Sequence, residues 1–389
     1  MSQANPPGSP AAAESCYTIG VEEEFLLLDA VTGRAVFGAP DMVRLLENEP
    51  AVTPEFMRYQ IETATPVCAG LDEVRTELGR LRGLLADAAG SVGCLLVAAG
   101  VLPFDAPSGP DAITDQPRYR DLVDRFPTLL TDGGTCGCHV HIGVPSRELG
   151  VQVLSRLRPW LPQLLAVSAN SPFTFGQDTG WASRRHPMWS QWPTARPPEI
   201  WADPMEYDAA VRHLVDSGAA VDPQGVYWHA RLSPRYPTVE IRIADVCLSA
   251  EDAVLLAGLV RALVATAVEE FREGRPAPAV RTATITAALS AAARHGLDGP
   301  GIDVFSGEIV AQQQLFQGLL DHVRPGLAVT GDTDEVDRLA AGVLLGGTGA
   351  DRQREFHAAS ATTAEFVAAL ADATAASRAA ELTVEGNGR

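Results

Sequence analysis

The segment Thr135–Val144 reads TCGCHVHIGV and places two cysteines and two histidines within the six residues Cys136–His141. Such a run invites a thiol-rich zinc or copper centre. Read as a strand it cannot form one. Side chains alternate faces with a period of two, so Gly137, His139 and His141 point one way and Cys136, Cys138 and Val140 the other. One tetrahedral site cannot draw on both faces. The cysteines then read as small apolar packing residues, and the histidines must share their face with something else.

Carboxylates are the candidates. In GVEEEFLLLD the same alternation puts Glu22 and Glu24 on one side and Glu23 on the other. In RYQIETATPV, Glu62 sits among apolar residues and threonines, with Glu55 seven positions upstream. In TVEIRIAD, Glu240 and Arg242 share a face opposite Val239 and Ile241. Burying unpaired carboxylates is costly, so a cluster of them implies a bound cation. Mostly oxygen ligands with one imidazole suit Mg²⁺ or Mn²⁺ better than zinc. Each motif alone has an ordinary reading: HxH as packing, ExE as a solvated strand face, ExR as a structural salt bridge. The inference rests on all of them falling in apolar strand contexts of one chain.

Those strands need a frame. CYTIGVEEEFLLLD and PEFMRYQIETATPV read as two partly paired strands, and LDEVRTELGRLRGLLADAAGSVG as a helix with apolar residues at helical spacing. CLLVAAGVL reads as a buried strand, and ITDQPRYRDLVDRFPTLL as a short helix leading into TCGCHVHIGV. A long helix follows, with Pro159 and Pro162 kinking or splitting it. About fifty residues from Asn170 onward, rich in Pro, Gly, Trp and Arg, read as an irregular lid or substrate loop. GVYWHARLSPRYPTVEIRIADVC supplies one or two more strands, and the chain from Ser249 to about Ala380 reads as helical. The strands do not alternate regularly with helices, so the expected class is α+β, an antiparallel sheet packed by many helices. One catalytic unit is expected over residues 16–382, strand-rich from 16 to 248 and helical from 249 to 382, with a disordered tail at 1–15 and a short tail at 383–389.

Composition narrows the chemistry. A net charge of −19 over 389 residues opposes nucleic acid or an anionic membrane as partner. All 30 basic residues are arginine. The absence of lysine excludes a P-loop lysine, a Schiff-base lysine and an adenylylated lysine. Phosphate handling must then use arginine, backbone amides and metal ions. Six cysteines are too few for a disulfide scaffold in so long a chain. With no secretory signal and no long apolar run, a cytoplasmic protein is expected.

GVEEEFLLLD, QIETATPV, TCGCHVHIGV, NSPFTFGQDTGWASRR, QWPTARPPEIW and RLSPRYPTVEIRIADVC resemble, in order, the motifs of the glutamate–cysteine ligase type 2 family of carboxylate–amine ligases. They span about Thr18 to Cys247. The family belongs to the glutamine synthetase-like superfamily, which implies an active site in the concave face of a curved, mostly antiparallel sheet. The resemblance implies ATP and Mg²⁺ (or Mn²⁺) as cofactors, amino acids as substrates, and a homodimer. By position, Glu22, Glu24 and Glu62 match carboxylates holding divalent metal at the ATP phosphates, and Glu55 a weaker acidic position. His139 matches the metal-binding histidine, with His141 nearer the substrate. Glu240 matches a metal carboxylate and Arg242 the arginine at the transferring phosphate, with Arg231 and Arg235 near phosphate or the substrate carboxylate. Asn170, Ser171 and Arg184 fall in motifs expected to line the substrate pocket. His229 follows Trp228 where the family is expected to carry an acidic residue, which bears on the acceptor amine. The implied reaction is ATP-dependent amide formation through an acyl phosphate, from glutamate and cysteine or from another acid and amine. A metal-dependent amide hydrolase or a non-catalytic metal binder would use the same carboxylates.

Overall fold

The computed structural model describes residues 16–105, 107, 109–127 and 134–376, so the tails at 1–15 and 383–389 lie outside the described residues. GVEEEFLLLD forms β1 (Ile19–Leu28), the hub of an open sheet. β2 (Val52–Pro54) and β3 (Gln60–Ala64) follow, the latter antiparallel to β1, while Glu55–Tyr59 form a loop between them. β4 (Leu95–Val97) pairs with the far end of β1, and β5 (Cys138–Gly143) with its beginning. The hairpin β6 (Phe173–Thr174) and β7 (Gln177–Asp178) stands apart. β8 (Ala230–Leu232) and β9 (Thr238–Ile241) complete the main sheet in the order β2-β3-β1-β5-β9-β8, with every pairing antiparallel.

The register decides which side chains meet. Glu24 lies opposite Glu62, Glu22 opposite His139, and Glu240 between His141 and Arg231. Directly opposed residues of an antiparallel pair share a face. The row therefore crosses five strands on one side of the sheet. The other side carries Ile19, Val21, Cys138, Val140, Ile142 and Val239, all buried in one core.

Helices cover that apolar side. In Leu71–Ser91 the buried residues Leu71, Val74, Leu78, Leu81 and Leu85 repeat at three- and four-residue intervals, a single stripe. Helix Ala250–Arg272 begins at a capping box, Ser249 with Asp252, and is buried on all sides from Ala253 to Val268. Helix Gln312–Thr330 lies against it so closely that a Cβ on Gly326 would stand 2.0 Å from the Ala262 carbonyl oxygen. The long proline-bearing helix is split, as Arg147–Leu157 and Leu161–Ser168, by a 3₁₀ turn at Arg158–Trp160. The observed class is α+β.

Two segments depart from the expectation. The stretch after Asn170 is not irregular throughout: besides the β6–β7 hairpin it holds helices Arg185–Trp189 and Pro204–Asp216. The second starts with Asp203 capping the Glu206 amide and proline in the first turn, a start signal that the surrounding Pro and Trp residues obscure. The helical C-terminal part also contains a hairpin, β10 (Pro300–Ile302) with β11 (Ile309–Ala311).

Candidate active site

Strand alternation aims Glu22, Glu24, Glu62, His139, His141, Glu240 and Arg242 at one another. His139 Nδ1 lies 3.2 Å from Glu22 Oε2, and His139 Nε2 lies 3.9 Å from Glu24 Oε1. His141 Nε2 is 3.4 Å from Glu22 Oε1 and 4.0 Å from Glu240 Oε1. Arg231 grips Glu240 through two bonds of 2.7 and 3.1 Å, and Arg242 bonds the same carboxylate. Glu240 is thus held by two guanidinium groups.

Among the described residues two sets of potential ligand atoms emerge, Glu22–His139–Glu240 and Glu24–Glu62–His139, each within 4.8 Å. They share His139. A donor set of carboxylates with one imidazole suits a hard divalent cation. The charge distribution fits the same group. Burial, then the charge of Glu55, raises Glu24 to about 8. Burial followed by Glu55 and Glu22 pushes Glu62 well up, and burial pushes Glu55 up. Carboxylates kept from ionising by burial and mutual repulsion are groups that a bound cation would relieve. Glu22 behaves oppositely: burial would raise it, yet hydrogen bonds from His139 and His141 hold it far below the carboxylate range. Glu240 is likewise driven down by Arg242 and Arg231 against its burial. Burial and then Arg242 lower His139 to about 4, which keeps the imidazole neutral and able to ligate.

The cluster separates two cavities. One is apolar, about 560 Å³, walled by Ala64, Pro66, Val67, Tyr236 and Pro237, and reaches Glu22 and His141. The other, about 110 Å³, has Glu24, Glu55, His139 and Arg242 at its base and Tyr119, Trp189, Trp192 and Tyr227 on its walls. Ring packing fixes that wall: Phe56 meets Tyr119 edge-on at 5.2 Å, and Trp192 meets Tyr227 at 5.4 Å.

Other residues singled out in the sequence sit elsewhere. Asn170 is buried and saturated, donating to the Ala98 and Val246 carbonyls and accepting from Gln353. Ser171 donates to Asp245 at 2.6 Å. Neither lines a cavity described above. Arg184 borders a smaller cavity with Leu102, Phe104 and Phe175. Arg235 is exposed and donates to Gln224. His229 is buried behind Trp189, stacked at 5.2 Å, so it reaches the ring-walled cavity only through that indole. Burial, then His186, holds it well below the usual histidine range.

Arg185 was not legible from spacing. It is 2% exposed, lines the ring-walled cavity and stacks over Trp189 at 4.9 Å. Gly137 makes room for it, because a Cβ there would stand 2.4 Å from Arg185 Nη2. The Gly137 amide donates to Glu24 Oε2 at 2.6 Å, so its missing side chain lets backbone, carboxylate and guanidinium converge. The alternation of β5 hinted only that Gly137 faces the site.

Residues 18–373 match the family described as glutamate-cysteine ligase family 2. A Saccharopolyspora erythraea protein provisionally named glutamate–cysteine ligase 2-1 is 43% identical over 340 residues, covering 87% of this chain and 89% of that protein. A Rhodopirellula baltica protein provisionally named glutamate–cysteine ligase 2 is 38% identical over 358 residues, covering 90% and 96%. The crystal structure of a Francisella tularensis glutamate–cysteine ligase in complex with AMP superposes with a TM-score of 0.65, covering 97% of this chain and 96% of that one, at 16% identity. That likeness concerns the fold. With the family match spanning nearly all described residues and close relatives matching along most of their own length, the chain belongs to the glutamate-cysteine ligase family 2.

Proposed function

We propose that this protein is an ATP-dependent carboxylate–amine ligase working through an acyl phosphate, with L-glutamate and L-cysteine as the first pair to test. The observation that carries the reading is the pair of ligand sets sharing His139, with Arg242 beside them. A carboxylate and an amine do not form an amide in water without activation. In the proposed reaction a carboxylate oxygen attacks the γ-phosphorus of ATP and ADP leaves. The amine nitrogen then attacks the acyl carbon, loses a proton and expels phosphate. Glu22 and Glu240 would hold one divalent cation and Glu24 and Glu62 another, with the single lone pair of neutral His139 serving one of the two. Bound there, such cations neutralise phosphate charge.

The chain's own residues supply position and field. Arg242, oriented by Glu240, presents positive charge to the transferring phosphoryl group. The apolar cavity beside Glu22 has the size and lining for a nucleotide base. The ring-walled cavity lies on the other side of the cluster, where acid and amine would meet with little water to hydrolyse the acyl phosphate. The names of the relatives support glutamate and cysteine, and the AMP in the Francisella structure supports an adenine nucleotide. The aromatic wall favours a second reading with the same chemistry and an amine other than cysteine.

The test mixes protein, ATP and Mg²⁺ with glutamate and a panel of amines, following ADP and product mass. ADP release that requires both acid and amine is expected. Amide cleavage without nucleotide would instead make the protein a metal-dependent hydrolase.

A further inference from the structure

Asp245 lies just beyond β9 and is wholly buried, bridged to Gly137 of the strand segment that carries the histidines. Its carboxylate gathers three groups of one distant motif, NSPFTFGQDTGWASRR. Oδ2 accepts the Ser171 hydroxyl at 2.6 Å and the Asn170 amide at 2.9 Å, and Oδ1 accepts the Ser183 hydroxyl at 2.8 Å. The remaining face of the carboxylate turns to Arg185, with Oδ1 and Nη1 at 4.0 Å.

Arg185 is the link to the site. Its Nη1 and Nη2 donate to the Ile243 and Arg242 carbonyls, at 3.0 and 3.3 Å, and its backbone amide donates to Ser171 Oγ at 3.0 Å. Its Nε is buried without a hydrogen-bond partner, and the guanidinium lines the cavity that holds Glu24 and Glu55. A buried cation with a free donor, in a chamber that also holds Arg118 and Arg242 and whose two carboxylates, Glu24 and Glu55, are held back from ionising, matches an anionic ligand group. It needs a fixed counter-charge behind it, or it would fold back onto Glu24. Asp245 is placed to be that charge, and three hydrogen bonds stop the carboxylate itself from moving.

We propose that Asp245 is a positioning residue, holding the Arg185 guanidinium in the ring-walled cavity so that it orients the carboxylate of the acid substrate. This rests on the ligase reading given above. Asn170 and Ser171 then act two steps from the substrate, through Asp245 and Arg185.

The experiment measures kcat and the KM values for acid and ATP with the purified protein, Mg²⁺ and the best acid–amine pair, for wild type, Asp245→Asn, Arg185→Met and the double variant. Asp245→Asn is expected to raise the KM for the acid at least tenfold and leave the KM for ATP within about twofold. It should add no further loss to Arg185→Met, because residues acting through one another are not additive. Thermal unfolding of each variant is recorded alongside. If Asp245→Asn lowers the melting temperature while KM for the acid stays at the wild-type value, or if its effect adds fully to that of Arg185→Met, the positioning role is overturned and the ligase reading stands. If wild-type protein releases no ADP with any pair, the ligase reading falls and this role with it.

Discussion

Glu23 and Arg82 meet on the far side of the sheet from the carboxylate cluster, with Nη2–Oε1 at 2.5 Å and Nε–Oε2 at 2.9 Å, and neither side chain is more than 1% exposed. Arg82 also donates to the carbonyls of Cys247, Leu248 and Thr374, so its donors are saturated. Three consecutive glutamates therefore divide their labour: the outer two enter the site and the middle one locks helix Leu71–Ser91 to the sheet. Glu23→Gln should destabilise the protein by about 3–5 kcal/mol, the usual cost of breaking a buried pair by removing one partner. Denaturant unfolding measures it, and a loss under 1 kcal/mol would show the pair to be dispensable.

Glu240 has the opposite character. Glu240→Gln should lower turnover at least about 100-fold, nearly 3 kcal/mol of transition-state stabilisation, with the circular dichroism spectrum unchanged. Activity within tenfold of wild type would remove Glu240 from the reacting centre.

Gly137→Ala tests the close approach at the head of β5. The added methyl would stand 2.4 Å from Arg185 Nη2, so the guanidinium must move. The expected result is a modest stability loss of about 1–3 kcal/mol with a far larger fall in kcat/KM. Near-normal kcat/KM would mean that the position of Arg185 does not matter.

Stability should depend on pH in a window set by the cluster. Glu24 titrates near 8 in the folded chain against 4.5 as a free group. The folded state thus keeps a proton that the unfolded chain has released, and this contribution, complete below 4.5, is lost as pH rises through 8. His139 is lowered from 6.5 to about 4, so its contribution is complete above 6.5 and is lost as pH falls through 4. Between 6.5 and 8 the slope comes from the raised carboxylates and from His141, which Glu22 and Glu240 hold above its usual value against its burial, and both act in the same direction. The melting temperature of metal-free protein should fall across that range, and Mg²⁺ should raise it more at pH 8 than at pH 6.5. Glu24→Gln should flatten the slope. A metal-free melting temperature that rises over this window would contradict the arrangement.

Much of the sheet was legible because period-two alternation is a local property: GVEEEFLLLD, TCGCHVHIGV and TVEIRIAD each declare their faces unaided. The helix Pro204–Asp216 was missed although Asp203 and Pro204 mark its start, because the Pro- and Trp-rich residues before it dominate the pattern. Arg185 and Asp245 were missed for a different reason. Their partners lie some 60 residues away in sequence, and nothing in either local pattern announces them.

By itself the sequence determined side-chain faces, helix stripes and caps, since these depend on residues within one turn or a few strand positions. Only the tertiary structure decided that Glu22 lies opposite His139 and His141 opposite Glu240, because pairing joins segments about 100 residues apart. A shift of one residue in either pairing would send the same side chains to opposite faces, so the site exists only in the register that the packed core enforces.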